Sequence, residues 1–206
     1  MRRFRRYDDA GQAFPIYITV VGGLLFLAFA YFAVGQAAAN RNDAQTAADA
    51  AALAAAQDRR DQLAGAWVQD LLDPTKWQHI FNGNAEGLSL SCWRANQLAA
   101  QNDADVLSCR PAGFLGYTVE VETNKSVGES IVPGTEERRS NASATAVIEP
   151  RCEFELPAED TADDVLPALD CEGTTWDLDP EGPTELLPKP EDLFEVHLAD
   201  SQANDE

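Results

Sequence analysis

The chain begins with one long apolar run and continues with much shorter apolar stretches. No charged residue occurs between Asp9 and Arg41, and residues 14–35 are almost entirely apolar. A helix of that length would extend about 33 Å, which matches a hydrocarbon layer of about 30 Å. The pattern therefore predicts a transmembrane helix over residues 14–35, preceded by a basic tip over residues 1–13.

A helical pattern continues directly after the predicted span. Residues 36–72 are rich in alanine, the residue with the highest helix propensity, and contain no proline. Leu63, Trp67 and Leu71 recur at helical spacing and form a narrow apolar stripe. We therefore expect the span to continue as an alanine-rich extracytoplasmic helix over residues 36–72, ending just before Pro74.

Two segments farther along alternate as half-buried strands do. Residues 117–122 place apolar side chains on one face, and residues 142–148 place alanines and an isoleucine on one face. Pro133 and Gly134 mark a turn between them. These patterns predict a small α+β domain over residues 77–152, with an antiparallel β structure packed on the upper part of the long helix, so the fold class is α+β.

The composition changes again at residue 153. Residues 153–206 contain 18 acidic residues, one basic residue and six prolines, with few apolar residues. Such a composition does not offset the entropy cost of ordering, so we predict an acidic, Pro-rich, mostly disordered tail over residues 153–206. Residues 190–200 are an exception, because their apolar side chains are compatible with a short helix.

The distribution of charge predicts how the chain is oriented. Positive charge stays on the cytoplasmic side of a membrane helix, which predicts a cytoplasmic N-terminus and an extracytoplasmic C-terminal region. The net charge of the 206-residue chain is −20, which argues against a nucleic-acid-binding surface. The arginines that precede the span are Arg2, Arg3, Arg5 and Arg6.

The four cysteines favour disulfides over a metal site. None forms a C-x-x-C pair, and neither histidine lies near another plausible metal ligand. An even number of cysteines in an exported segment predicts two disulfides, for which the sequence allows three pairings. We favour pairing between chain neighbours, which joins Cys92 to Cys109 and Cys152 to Cys171.

No pattern in the chain points to catalysis or to a bound cofactor. The phosphate-binding loop, the nucleophile-elbow motif and the zinc-protease motif are all missing from the sequence. His79 lies among aromatic residues, and we interpret it as a packed side chain. The sequence therefore predicts a non-enzymatic protein with no cofactor and no small-molecule substrate.

Two motifs around the span resemble a known family. Residues 9–57 are similar to the N-terminal segment of the TadE/TadG-like proteins of bacterial Tad (Flp) pilus assembly systems. One motif precedes the apolar helix directly, and the other is the alanine-rich stretch after it. The residues that carry the resemblance are Gly11, Gln12, Ala13, Asp49, Ala52, Leu53 and Ala54.

The resemblance implies a membrane-anchored, pilin-like structural or accessory component of a Tad/Flp-type pilus assembly or secretion system. Its location would be the bacterial cytoplasmic membrane, and its partners the lipid bilayer and other assembly proteins. Small residues allow close helix packing, so we expect lateral contacts at Gly22, Gly23, Ala47, Ala51 and Leu53. The alternative is a tethered extracytoplasmic binding module at the bacterial cell surface.

Three fates of the N-terminal segment remain open. Cleavage after Gly11 would resemble the processing of prepilins, but cleaved pilins usually carry glutamate where this chain has Ile16. Cleavage after Ala39 would remove the span as a signal peptide, although the apolar run is longer than such peptides usually have. The third fate is an uncut anchor.

Overall fold

The fold is organised around one long helix. A computed structural model of the protein describes residues 13–126, 139–156, 166–180 and 182–199. Helix α1, Ala13–Gln69, has 57 residues, which corresponds to about 85 Å at a rise of about 1.5 Å per residue. The predicted continuation of the span as one helix is therefore confirmed, with an end at Gln69 instead of residue 72.

Shorter helices and strands follow α1. A single 3₁₀ turn, Thr184–Leu186, precedes the last helix. In chain order the elements are α2 (Pro74–Phe81), α3 (Cys92–Gln101), β1 (Ala104–Pro111), β2 (Gly116–Thr123), β3 (Asn141–Pro150), β4 (Cys152–Phe154), β5 (Leu169–Cys171), β6 (Thr174–Trp176), α4 (Pro190–Leu193) and β7 (Phe194–Leu198).

The strands form two antiparallel sheets. The larger has the order β1-β2-β3-β7, and the smaller has the order β4-β5-β6. Strands β2 and β3 coincide with the two segments predicted from alternation, and Val119 lies opposite Ala144 in their register. The predicted α+β fold with an antiparallel sheet is confirmed.

The second half of α1 is enclosed by the rest of the chain. Strands β2, β3 and β7 pack on it, and so does α3. Because alanine side chains are short, these elements approach the helix closely and leave little empty space. We call the folded part from Ala44 onward the head. The fully buried alanines of α1 within it are Ala44, Ala47, Ala48, Ala51, Ala52, Ala55 and Ala56.

An aromatic cluster closes the end of the head that is remote from the apolar half of α1. Trp67 of α1 packs on Trp77 of α2, with ring centroids 5.4 Å apart. The ring centroids of Trp77 and Phe154 of β4 are 5.3 Å apart, and so are those of Phe81 of α2 and Phe194 of β7. Such ring pairs add about 1 kcal/mol each beyond the burial of their area. The cluster therefore ties both sheets to the end of α1.

The prediction of a mostly disordered tail over residues 153–206 is wrong for the parts that the structure describes. Strands β5, β6 and β7 belong to the two sheets, and Leu193 and Phe194 are fully buried. The segment predicted as a short helix is helical only over Pro190–Leu193 and then continues as a strand. The average composition of residues 153–206 is acidic and polar, although this segment contains short apolar stretches that the sheets bury. Residues 157–165, 181 and 200–206 lie outside the described residues.

Because β7 completes the larger sheet, the domain predicted over residues 77–152 is too short. The last strand pairs along β3, with Val196 opposite Ile148. The head therefore combines the second half of α1, the predicted domain and part of the predicted tail.

Candidate membrane anchor and assembly surfaces

The first half of α1 is an apolar surface that the rest of the fold leaves uncovered. Ile16, Phe29 and Tyr31 expose 65%, 59% and 83% of their surface, although they lie on different sides of the helix. None of the most apolar stretch of this half is buried. In the described part of the chain, α1 is the one helix long and apolar enough to cross a membrane. A helix that is apolar all round needs an apolar environment on every side, which a bilayer supplies.

The apolar half of α1 meets the head at a polar junction. Arg41 is the first charged residue after the apolar run, and the buried core begins at Ala44. Lys125 Nζ lies 2.8 Å from an Asp103 carboxylate oxygen, and this hydrogen bond raises the pKa of Lys125. The side of the head next to the span is therefore polar. A cavity of about 230 Å³ there is lined by Asn40, Asp43, Thr46, Asn102, Asp103, Thr123 and Lys125.

The two glycines predicted as packing residues lie in the uncovered half of α1. Gly22 and Gly23 are both exposed, and a Cβ atom added at either would meet no other atom within 4 Å. Both therefore remain accessible to a neighbouring helix. Their role in packing remains a prediction.

The alanines predicted as packing residues lie in the core of the head instead. Ala47 and Ala51 are fully buried within the chain's own fold, and Leu53 is half-buried against the core. The expectation that Ala47 and Ala51 contact other proteins is therefore wrong. A stripe of small residues indicates close packing, but it does not indicate whether the packed neighbour belongs to the same chain.

The family motif within α1 has a structural role in this chain. Ala52 and Ala54 are buried, and Leu53 packs against the core. Asp49 is half-buried and accepts a 2.7 Å hydrogen bond from the side chain of Gln45, one turn earlier on the helix. Ala13 begins α1. Two motif residues and the arginines of the basic tip lie outside the described residues: Gly11, Gln12, Arg2, Arg3, Arg5 and Arg6.

Both predicted disulfides are present in the head. Cys92–Cys109 joins α3 to β1, and Cys152–Cys171 joins β4 to β5. The two cysteines of the second bond lie directly opposite each other in the register of the small sheet. Each bond closes a short loop and contributes about 3 kcal/mol by the chain-entropy model. Disulfides persist in oxidising compartments.

His79 lies on the surface of the head. Trp77, Ile80 and Phe81 form the buried face of α2, which leaves His79 exposed on the other side of the helix. The interpretation of His79 as a packed side chain is therefore wrong. Among the described residues, no group of three or more His, Cys, Asp and Glu side chains is placed to hold a metal ion.

His197 connects the last strand to its neighbour in the larger sheet. Glu149 of β3 lies directly opposite Glu195 of β7, which places two like charges across the strand pair. His197 Nε2 lies 3.3 Å from a Glu149 carboxylate oxygen, and Nδ1 lies 3.0 Å from the carbonyl oxygen of Leu198. The hydrogen bond to Leu198 raises the pKa of His197 above 6.5, and the bond to Glu149 raises it further. Sequence reasoning did not single out this residue.

We expect protonation of His197 to strengthen the pairing of β7 with β3. Because the pKa of His197 is higher in the folded chain than in the unfolded chain, this stabilisation is complete below the pKa of the unfolded chain. It is lost as the pH rises through the pKa of the folded chain. NMR titration of the His197 ring should give a pKa above 6.5. Replacing Glu149 with glutamine should lower that pKa.

The control for this titration is Asp105→Asn, which removes one charge from β1 at the opposite edge of the same sheet. This variant should leave the His197 titration almost unchanged. If the pKa of His197 were the same in the wild type, in Glu149→Gln and in Asp105→Asn, the contact with Glu149 would have no role.

Comparison with known proteins gives one match. Residues 11–58 match the family model described as "Putative Flp pilus-assembly TadE/G-like", which confirms the resemblance inferred from the motifs. The match includes the exposed apolar half of α1 and the alanine-rich segment as far as residue 58, but none of the strands. No curated protein and no solved structure matches the chain. The match and the uncovered apolar helix together indicate a membrane-anchored component related to pilus assembly.

Proposed function

We propose, from the match of residues 11–58 to a pilus-assembly family, that the protein is a non-catalytic, pilin-like structural or accessory component of a Tad/Flp-type pilus assembly or secretion system. The observation that carries this proposal is the arrangement of α1. One half is apolar and uncovered all round, and the other half is the central element of a folded head. Such a chain can fix a rigid head at a short, defined distance from a membrane.

The location that fits this role is the bacterial cytoplasmic membrane, with the N-terminus in the cytoplasm and the head outside. Two observations support this orientation. The arginines of the tip precede the span, as the positive-inside rule requires for a cytoplasmic N-terminus. The head carries two disulfides, which are typical of compartments outside the cytoplasm.

We assign the contact with other assembly proteins to the membrane span. Ala47 and Ala51 are occupied by the chain's own fold, whereas Gly22 and Gly23 remain open to a neighbouring helix. Within a bilayer, small residues favour association because the backbones of two helices approach closely. The partners are therefore other membrane-embedded components of the same apparatus.

Replacing Gly22 and Gly23 with leucine tests this contact. The double variant should still reach the membrane and keep its head folded, because a Cβ atom at either position meets nothing within the chain. We expect co-purification of the tagged protein with other assembly components to fall by about tenfold, which corresponds to about 1.4 kcal/mol of association.

Ala28→Leu is the matched control, because it places a leucine side chain on the opposite side of the same span. It should leave co-purification unchanged. Unchanged co-purification in the double glycine variant would argue against packing at this position. An equal loss in both variants would indicate a general disturbance of the span.

The second candidate is a tethered binding module, for which the span is only an anchor. It is favoured by a cleft between α2 and the small sheet, at the end of the head remote from the span, whose lining includes Glu153, Glu155 and Asp170. Exchanging residues 14–35 for an unrelated membrane helix separates the two candidates. A binding module keeps its activity after the exchange, whereas a subunit that packs through its span does not.

A further inference from the structure

A cleft of about 760 Å³ lies between α2 and the small sheet. Phe81 and Phe154 contribute its aromatic lining, and their ring centroids are 5.9 Å apart. Both rings belong to the aromatic cluster that starts from Trp67 near the end of α1. The cleft therefore lies at the end of the head that is remote from the span, and we call it the distal cleft.

Among the residues that the structure describes, the charged side chains that line the distal cleft are all acidic. They are Glu153 and Glu155 from the β4 region and Asp170 from β5. In the ranges that the structure describes, none of the three forms an ion pair. Gln78 and Asn82 add neutral amide groups on the side of α2. The distal cleft thus combines negative charge, aromatic rings and amides that can donate or accept hydrogen bonds.

Two of these acidic residues are paired across neighbouring strands. Glu153 lies directly opposite Asp170 in the register of β4 and β5. The Cys152–Cys171 disulfide fixes the neighbouring pair of positions, so the two strands cannot separate. Like charges directly opposite each other destabilise a sheet. A cationic group bound between them would remove this repulsion.

We propose that the distal cleft binds an extended, arginine- or lysine-bearing segment of a partner protein. A guanidinium group can pair with a carboxylate through two hydrogen bonds and can also lie against an aromatic ring. The amides of Gln78 and Asn82 suit the backbone of such a segment. A metal ion fits less well, because no group of three or more possible ligands comes together among the described residues.

This inference goes beyond the proposed function and does not depend on it. The test uses the purified full-length chain in detergent micelles, with a fluorescent peptide of alternating arginine and serine as the probe. The matched peptide carries citrulline, which has the shape of arginine without its charge. We expect the arginine peptide to bind in a salt-sensitive manner and the citrulline peptide to bind at least about tenfold more weakly.

The double variant Glu153→Gln and Asp170→Asn should weaken binding of the arginine peptide by about tenfold, because two carboxylates lose their charge. The single variant Glu153→Gln should weaken binding while raising the thermal stability of the free protein, because it relieves the repulsion with Asp170. Opposite changes in affinity and stability would not arise from damage to the fold.

Asp105→Asn with Glu122→Gln is the control for the double variant. These residues also form a directly opposed acidic pair, but they lie between β1 and β2 and do not line the distal cleft. The control should bind the arginine peptide as the wild type does. The proposal is overturned if both double variants lose affinity equally, if citrulline and arginine peptides bind equally, or if calcium binds to the cleft and the arginine peptide does not.

Discussion

Replacing Phe194 with alanine should destabilise the head by about 3–5 kcal/mol, the usual cost of emptying a buried phenylalanine site. Phe194 is fully buried, packs on Phe81 with ring centroids 5.3 Å apart, and is the first residue of β7. Since domains of this size are stable by only about 5–15 kcal/mol, the loss is a large fraction of the total. Thermal unfolding followed by circular dichroism should show a decrease in the melting temperature on the order of 10 °C.

Phe114→Ala is the matched control, because it makes the same chemical change at a ring that exposes 67% of its surface. The melting temperature of this variant should change by only a few degrees. If Phe194→Ala behaved like the control, the last strand would not be part of the cooperative fold.

The second large effect is expected for Ala51→Leu. Ala51 is fully buried in the half of α1 that the strands and α3 enclose, so three added carbons have no space. Overpacking of a close-packed core costs about 1–3 kcal/mol, and more where backbones are already in contact. We expect a lower free energy of unfolding in denaturant titrations.

Gln57→Leu is the control for Ala51→Leu, because Gln57 lies on an exposed face of the same helix. Its free energy of unfolding should stay within about 0.5 kcal/mol of the wild type. A stable Ala51→Leu variant that lost only its protein partners would show that Ala51 belongs to an intermolecular contact, contrary to the structure.

Features with strong local signals could be predicted from the sequence. The apolar run of residues 14–35 and the alanine-rich segment after it have a long helical pattern with no proline between Pro15 and Pro74. Strand β2 over residues 117–123 and strand β3 over residues 143–148 alternate between more buried and less buried side chains, so one face of each strand is buried. The two disulfides join cysteines that are neighbours along the chain. In each case, local propensity and the final packing favour the same structure.

The last strand could not be predicted from average composition. Phe194, Val196 and Leu198 alternate with Glu195 and His197, which is the period of a half-buried strand. This signal covers only five residues within a long acidic segment, and its stability comes from pairing with β3, which is distant in the chain. The alternation alone could have identified the strand, but not its partner.

The sequence also could not predict whether a stripe of small residues packs within its own chain or against another protein. Alanines at helical spacing indicate a close neighbour, and the resemblance to a pilus-assembly family favoured another protein. The neighbours of Ala47 and Ala51 are instead the strands and α3 of the same chain. The distal cleft was also missed, because Glu153 and Asp170 meet only through strand pairing.

The most direct test of the account is the accessibility of the chain's own lysines in intact spheroplasts. All three lysines, Lys76, Lys125 and Lys189, lie in the head, and the side chains of the first two expose 54% and 74% of their surface. Carbonate-washed membranes are analysed by mass spectrometry after treatment with a membrane-impermeant amine reagent. We expect labelled lysines in intact spheroplasts and retention of the full chain in the washed membranes. Labelling only after permeabilisation, or release of the chain by carbonate, would contradict a head held outside the cytoplasm by a membrane-spanning α1.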